Sequence, residues 1–228
     1  MRTAYAAWRA LQSSIQFACL FACLLAAPGM AQAQAVARPA VAVTKPARTV
    51  LVMGDSLSAA FGLKASDGWV ALTAQRIARE APGWRVVNAS VSGETTSGGA
   101  GRIASALVRH RPAVVVIELG ANDGLRGLPL AQIRTNLAGM IVAAKARGAR
   151  VLLVGMRLPP NYGQAYTRGF ERIYTELAAT HKTGLVPFLL QPVMRDRGAF
   201  QTDNLHPSAA TQPKLRDHVW PALKPLLR

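Results

Sequence analysis

Cysteine is almost absent from this 228-residue chain; the two present, Cys19 and Cys23, both fall within the first 35 residues. That leader has the three parts of a secretory signal peptide: Arg2 and Arg9, an apolar stretch from Ile15 to Ala27, and small residues in "AQAQA" at 31–35. Cleavage is expected after Ala33 or Ala35, giving an exported product, periplasmic or secreted. "LFAC" at 20–23 makes a poor lipoprotein acylation site, because Phe21 is bulky and the apolar run continues past Cys23. A product beginning at Val36 has 228 − 35 = 193 residues and no thiol. Disulfides, thiolate metal sites and cysteine nucleophiles are therefore excluded. Stability must come from one hydrophobic core, which a chain of this size can build.

Long apolar runs are missing too. The stretch from 15 to 27 has 13 residues, short of the roughly 20 a membrane-spanning helix needs. Acidic residues are scarce: 11 against 27 Lys and Arg, a net charge of +16. Removing Arg2 and Arg9 leaves 25 − 11 = +14. Such an excess raises the question of nucleic acid. The basic residues are dispersed, however, and aromatics are only 6% of the chain, with no basic block interleaved with them. A solvated basic surface, open to transient contact with an anionic membrane, is expected instead. No nucleic acid and no obligate protein partner are implied.

What is present alternates regularly. Residues 36–48 carry Pro39 and Pro46 without helical period and read as a flexible arm before a domain at 49–228. Apolar runs occur at 49–53, 85–88, 113–119, 150–155 and 184–188. Between them lie helical patterns, such as Leu130, Ile133, Leu137, Ile141 and Ala144, or Phe170, Ile173, Tyr174, Leu177 and Ala178. A last pattern, Leu215, Val219, Leu223 and Leu226, contains Pro221, which is expected to kink or split it. Runs that are apolar almost throughout suit parallel strands covered on both faces. The fold class is therefore α/β, a three-layer α/β/α sandwich around a five-stranded parallel sheet.

In such a sheet, sites form outside the carboxyl ends of the strands. The segments there are "GDSLS" (54–58), "NASVSGETTSGG" (88–99), "LGANDGLRG" (119–127) and, after a longer loop, "TDNLHP" (202–207). Ser56 opens a predicted helix, where it suits a helix cap, a phosphate ligand or a nucleophile. A serine nucleophile needs a base, a group that orients the base, and donors for the oxyanion. His110 and His181 end predicted helices and His218 lies within one, so these three read as structural or exposed. His206 precedes Pro207, which disfavours helical backbone before it and suits the first turn of the final helix. Asp203 is placed to fold back on one ring nitrogen, leaving the other for Ser56.

Taken in order, "GDSLS", Gly93 in "SGETTSGG", Asn122 in "GANDGLRG" and "DNLHP" resemble the four blocks of the SGNH (GDSL) hydrolase family over residues 49–227. "MRLPPNYGQAYTRGFERIY" (156–174) is similar to its exported bacterial branch of acyl-CoA thioesterases, lysophospholipases and arylesterases. The resemblance implies a flavodoxin-like fold and a cofactor-free, metal-free serine hydrolase for acyl esters or thioesters. Ser56 would be the nucleophile, His206 the base and Asp203 its orienting acid. The backbone N–H groups of Ser56 and Gly93 and the Asn122 amide would form the oxyanion hole. Asp55 is expected to fix its own turn rather than move protons. Leu158, Pro159, Pro160 and Tyr162 offer apolar surface for the acyl group, or packing for the helix that follows. The family often carries glycine where this chain has Ala121 and Asn204, so the turn of "DNLHP" is the detail in question. Two other readings stand beside this one, of which the first keeps the same machinery and changes only the substrate. A carbohydrate O-deacetylase on the same fold calls for stacking aromatics, and a flavin- or phosphate-binding protein has no use for Asn122, Asp203 and His206.

Overall fold

The computed structural model describes residues 47–228. The signal-peptide and arm assignments lie outside these residues, apart from 47 and 48, and Arg48 already belongs to the first strand. Five strands form one parallel sheet: β1 (Arg48–Gly54), β2 (Trp84–Asn88), β3 (Val114–Glu118), β4 (Arg150–Val154) and β5 (Gly184–Val186), in the order β2-β1-β3-β4-β5. β3 is buried at every position and β1 at all but its first, as their unbroken apolar runs require.

Among the described residues six helices cover the sheet: α1 (Trp69–Glu80), α2 (Thr96–His110), α3 (Ala121–Leu125), α4 (Leu130–Ala146), α5 (Gln164–His181) and α6 (Gln212–Leu223). α1 packs on α6, while α4 packs on both α2 and α5. These two groups form the outer layers of the sandwich. The helical stripes read from the sequence are the core faces. Ile133, Leu137, Ile141 and Ala144 of α4, and Phe170, Ile173, Tyr174, Leu177 and Ala178 of α5, are all buried. Each large apolar side chain removed from water contributes about 1.5–3 kcal/mol before conformational entropy is counted. Pro221 does not split the last helix; α6 runs on to Leu223 and then tightens into a 3-10 turn at Lys224–Leu226.

Chain connections from β1 and β3 depart in opposite directions along the sheet, so the switch point lies between these neighbours. Ser56 follows β1 and Asn122 follows β3, and both therefore stand at the crevice this topology creates.

Candidate active site

The turn after β1 is built from its own side chains. Asp55 Oδ1 accepts from the Leu57 N–H at 3.0 Å. The expected helix at Ser56 does not form. The Ala59 N–H reaches Asp55 O, but the Phe61 N–H reaches back to Ser56 O, one residue too far for an α-helix. Ala60 (φ 61) and Gly62 (φ 73) then turn the chain away, and α1 begins only at Trp69. Gly54 is required by crowding, since a Cβ there would lie 2.7 Å from both Cβ and Oγ of Ser58.

His206 also stands differently from expectation. Pro207 is not in the first turn of the final helix. It pairs as an isolated antiparallel bridge with Phe200, while a 3-10 turn at Ala209–Thr211 precedes α6. The Gln201 N–H donates to His206 O at 2.8 Å, closing a small loop around 201–206. Two glutamines hold this loop. Gln201 Nε2 donates to Phe61 O (2.9 Å) and Pro207 O (3.2 Å), tying it to the turn that carries Ser56. Buried Gln212 donates to Pro207 O and accepts from the Trp69 N–H at the head of α1.

Within that frame Asp203, His206 and Ser56 form a line. Asp203 Oδ2 lies 2.7 Å from His206 Nδ1, and His206 Nε2 lies 2.8 Å from Ser56 Oγ. Asp203 Oδ1 accepts from the backbone N–H groups of His206 and Leu205. These two bonds, then the imidazole, lower the Asp203 pKa to about 2, so it stays ionised at any ordinary pH. Asn204 adopts φ 57, a left-handed conformation. That explains the frequent glycine there in similar sequences and why asparagine, the residue that best tolerates this region after glycine, can replace it. The Phe61 ring lies 4.6 Å from the His206 ring, tilted by 38°.

The three expected oxyanion donors lie on three loops that are tied together, by the Val91 N–H to Gly54 O at 3.0 Å and by Asn122 Nδ2 to Glu94 O at 3.0 Å. Among the described residues, no group accepts a hydrogen bond from the N–H of Ser56 or of Gly93. Gly93 has φ 79, and a Cβ on it would meet nothing within 4 Å. Its glycine is thus demanded by backbone conformation, with open space in front. Asn122 Nδ2 donates to Glu94 O at 3.0 Å and to Asp55 Oδ2 at 3.3 Å, which fixes the amide plane. Both of its N–H groups are engaged, and an oxyanion must share or displace the longer bond. Ala121, in the family's frequent glycine position, opens α3 without strain, because Gly120 takes the unusual φ of 120.

Three supporting residues were not singled out from the sequence. Asp123 is buried and accepts from the Thr96 N–H (2.8 Å) and hydroxyl, binding α3 to the start of α2. Arg102 grips Glu94 and donates to Ala89 O at 3.1 Å, stiffening the loop that carries Gly93. Glu118, fully buried at the end of β3, accepts from Ser58 Oγ at 2.7 Å, while its other oxygen has no partner among the described residues. Burial, reinforced by the Asp55 carboxylate, pushes the Glu118 pKa well above the usual range. Burial likewise raises Asp55 to about 6. One signal in the sequence pointed to Glu118: it is the single charge in the apolar run 113–119.

A cleft of about 280 Å³ opens beside Ser56 and His206, lined by apolar side chains that include Leu125, Met156, Leu158, Phe188 and Leu190. Of the four expected acyl-contact residues, Leu158 and Pro159 line it. Pro160 and Tyr162 do not; they lie in a 3-10 turn beside it, and the Tyr162 hydroxyl supports the wall by donating to Leu125 O at 2.9 Å. None of the other three histidines lines the cleft: His110 and His181 end α2 and α5, and His218 Nε2 lies 3.0 Å from Phe188 O, behind the wall.

Residues 52–212 match the GDSL-like lipase/acylhydrolase family. The chain belongs to that family. Esterase TesA of Pseudomonas aeruginosa is 55% identical over 181 residues, covering 79% of this chain and 90% of TesA. The thioesterase 1/protease 1/lysophospholipase L1 of Escherichia coli K12 is 39% identical over 181 residues, 79% of this chain and 86% of that one. The crystal structure of TesA superposes with a TM-score of 0.76 at 54% identity, covering 78% of this chain and 99% of that one. The GDSL hydrolase blocks thus occupy the sheet edge where the relay and the cleft meet.

Proposed function

We propose that this protein is an exported serine esterase and thioesterase that hydrolyses acyl esters or thioesters through an acyl-enzyme on Ser56. The observation that carries the reading is the unbroken relay from Asp203 through His206 to Ser56 Oγ, at 2.7 and 2.8 Å, at one end of an apolar cleft. His206 Nε2 takes the Ser56 proton as Oγ bonds to the acyl carbonyl carbon. Asp203 holds the ring in the tautomer whose Nε2 can accept, and stabilises the imidazolium that results. The tetrahedral oxyanion is met by the Ser56 and Gly93 N–H groups and the Asn122 amide. Collapse breaks the bond to the alcohol or thiol, which leaves with the proton from His206. Water then repeats the sequence, releasing the carboxylic acid and restoring Ser56.

The names of the relatives support ester and thioester bonds as the target class, and the lining of Met156, Leu158 and Leu190 favours an acyl chain over a sugar. The basic start and apolar stretch of residues 1–35 support export. The reading is tested with a chain-length series of p-nitrophenyl esters and acyl-CoAs, using Ser56→Ala as control. Turnover that depends on Ser56 is expected in both series. Activity that survives Ser56→Ala contradicts the mechanism, and failure of every acyl-CoA removes the thioesterase half.

A further inference from the structure

Large apolar side chains exposed to solvent are few among the described residues, and their distribution is uneven. Of the seven, Val108 and Val142 lie on α2 and α4. The other five, Phe61, Val91, Leu125, Met194 and Leu205, are all 38–53% exposed and lie on the loops that carry the cleft and its neighbouring residues. Leu125, Met194 and Leu205 line it, and Phe61 lies against His206. Val91 is two residues before Gly93, and its N–H donates to Gly54 O at 3.0 Å. Phe61 and Val91 are not part of the cleft lining, so an acyl chain inside it leaves them uncovered.

Cations stand beside these side chains. Arg126 follows Leu125 and donates to Gly93 O, while Arg195 and Arg197 follow Met194; all three are exposed. Among the described residues, no salt bridge engages any of them. The nearby carboxylates are occupied: Asp203 by His206, and Asp196 by the Gly198 N–H.

We propose that this rim is a docking surface for an anionic lipid interface, with the five apolar side chains entering the headgroup boundary and the arginines meeting lipid phosphates. An apolar patch edged by guanidinium groups matches such an interface in both solvation and charge. Seated there, the cleft opens directly onto the layer in which amphipathic acyl substrates dissolve. The net charge of +14 after loss of the leader adds a longer-range attraction.

The surface does not depend on Ser56 being the nucleophile, so binding is measured on Ser56→Ala protein, without turnover. The assay is co-sedimentation with phosphatidylcholine vesicles, with and without 30% phosphatidylglycerol, at low and high salt. Partitioning onto the anionic vesicles is expected to exceed that onto neutral ones by at least about ten-fold and to weaken with salt. Arg195→Glu/Arg197→Glu is expected to weaken it by about ten-fold or more, and Val91→Asp to weaken it as well. The charge-matched control Arg79→Glu/Arg147→Glu, in the last turn of α1 and at the C-cap of α4, lies at the opposite end of the sheet and is expected to retain binding. With Ser56 restored, all these variants are expected to hydrolyse p-nitrophenyl acetate at the unaltered rate. Equal loss in the control pair would reduce the effect to net charge and overturn the proposal. So would absence of binding to anionic vesicles at low salt.

Discussion

Asp55 of the "GDSLS" turn reaches Asn122 in the first turn of α3, with 3.3 Å between Asp55 Oδ2 and Asn122 Nδ2. One carboxylate thus serves both sides of the reaction centre. Its Oδ1 shapes the turn that presents Ser56, and its Oδ2 aims the amide proposed to receive the oxyanion.

Asp55→Asn tests that double role. The retained oxygen can still accept from the Leu57 N–H, but the new NH2 group then faces the Asn122 amide, donor against donor. We expect kcat to fall roughly 10- to 100-fold, part of the cost of a lost oxyanion donor, with a smaller change in KM. A kcat equal to that of the parent protein would show that the contact does not aim Asn122.

Asn122→Ala removes the donor itself. The expected loss is roughly 10²-fold or more in kcat, measured with a short soluble ester so that cleft binding contributes little. An unaltered kcat would restrict Asn122 to joining Asp55 and the Glu94 carbonyl.

The buried acids set a pH signature on stability. Asp55 and Glu118 both have folded-state pKa values above their ordinary ones, so the folded protein binds protons more tightly than the unfolded chain. The stability these two groups contribute is therefore full below about pH 4 and is lost as pH rises through their folded-state values. Glu118→Gln keeps an oxygen for Ser58 but cannot ionise. Its melting temperature is expected to exceed the parent's at pH 8, with the difference shrinking toward pH 4. A constant difference across that range would mean that Glu118 does not titrate as its burial demands.

Gln201 offers a test of the frame. Gln201→Ala cuts the link between the Phe61 and Pro207 carbonyls. Because small misplacements of a base are costly, kcat is expected to drop by roughly 10²-fold. Near-UV circular dichroism should show a folded protein. Full activity would mean that the bridge between Phe200 and Pro207 alone positions His206.

Much of this molecule was legible in its sequence because parallel strands covered on both faces leave apolar runs that no other element needs. All five runs became strands, though β5 stops at Val186, short of the run's end at Phe188. The four polar loops were placed at one edge by the same logic. What stayed hidden depends on partners distant in sequence. The small residues after Ser56 look helical by propensity, yet Asp55 and the positive φ at Ala60 and Gly62 impose another path. Pro207 looks like a helix start, but its bridge to Phe200 overrides that preference. Gln201 and Gln212 carry no motif; they act through carbonyls supplied by other loops.

If Ser56 is the nucleophile, it forms the covalent bond to substrate, and that bond can be trapped. This role is tested most directly by titration with diethyl p-nitrophenyl phosphate, whose phosphoryl group does not turn over readily. Attack by Oγ forms an O–P bond and expels one p-nitrophenolate. Expected are one equivalent of p-nitrophenol per protein, a diethylphosphoryl mass increment on the peptide containing Ser56, and loss of ester hydrolysis in proportion to labelling. Labelling at another residue, or hydrolysis that persists once Ser56 is fully modified, would contradict that role.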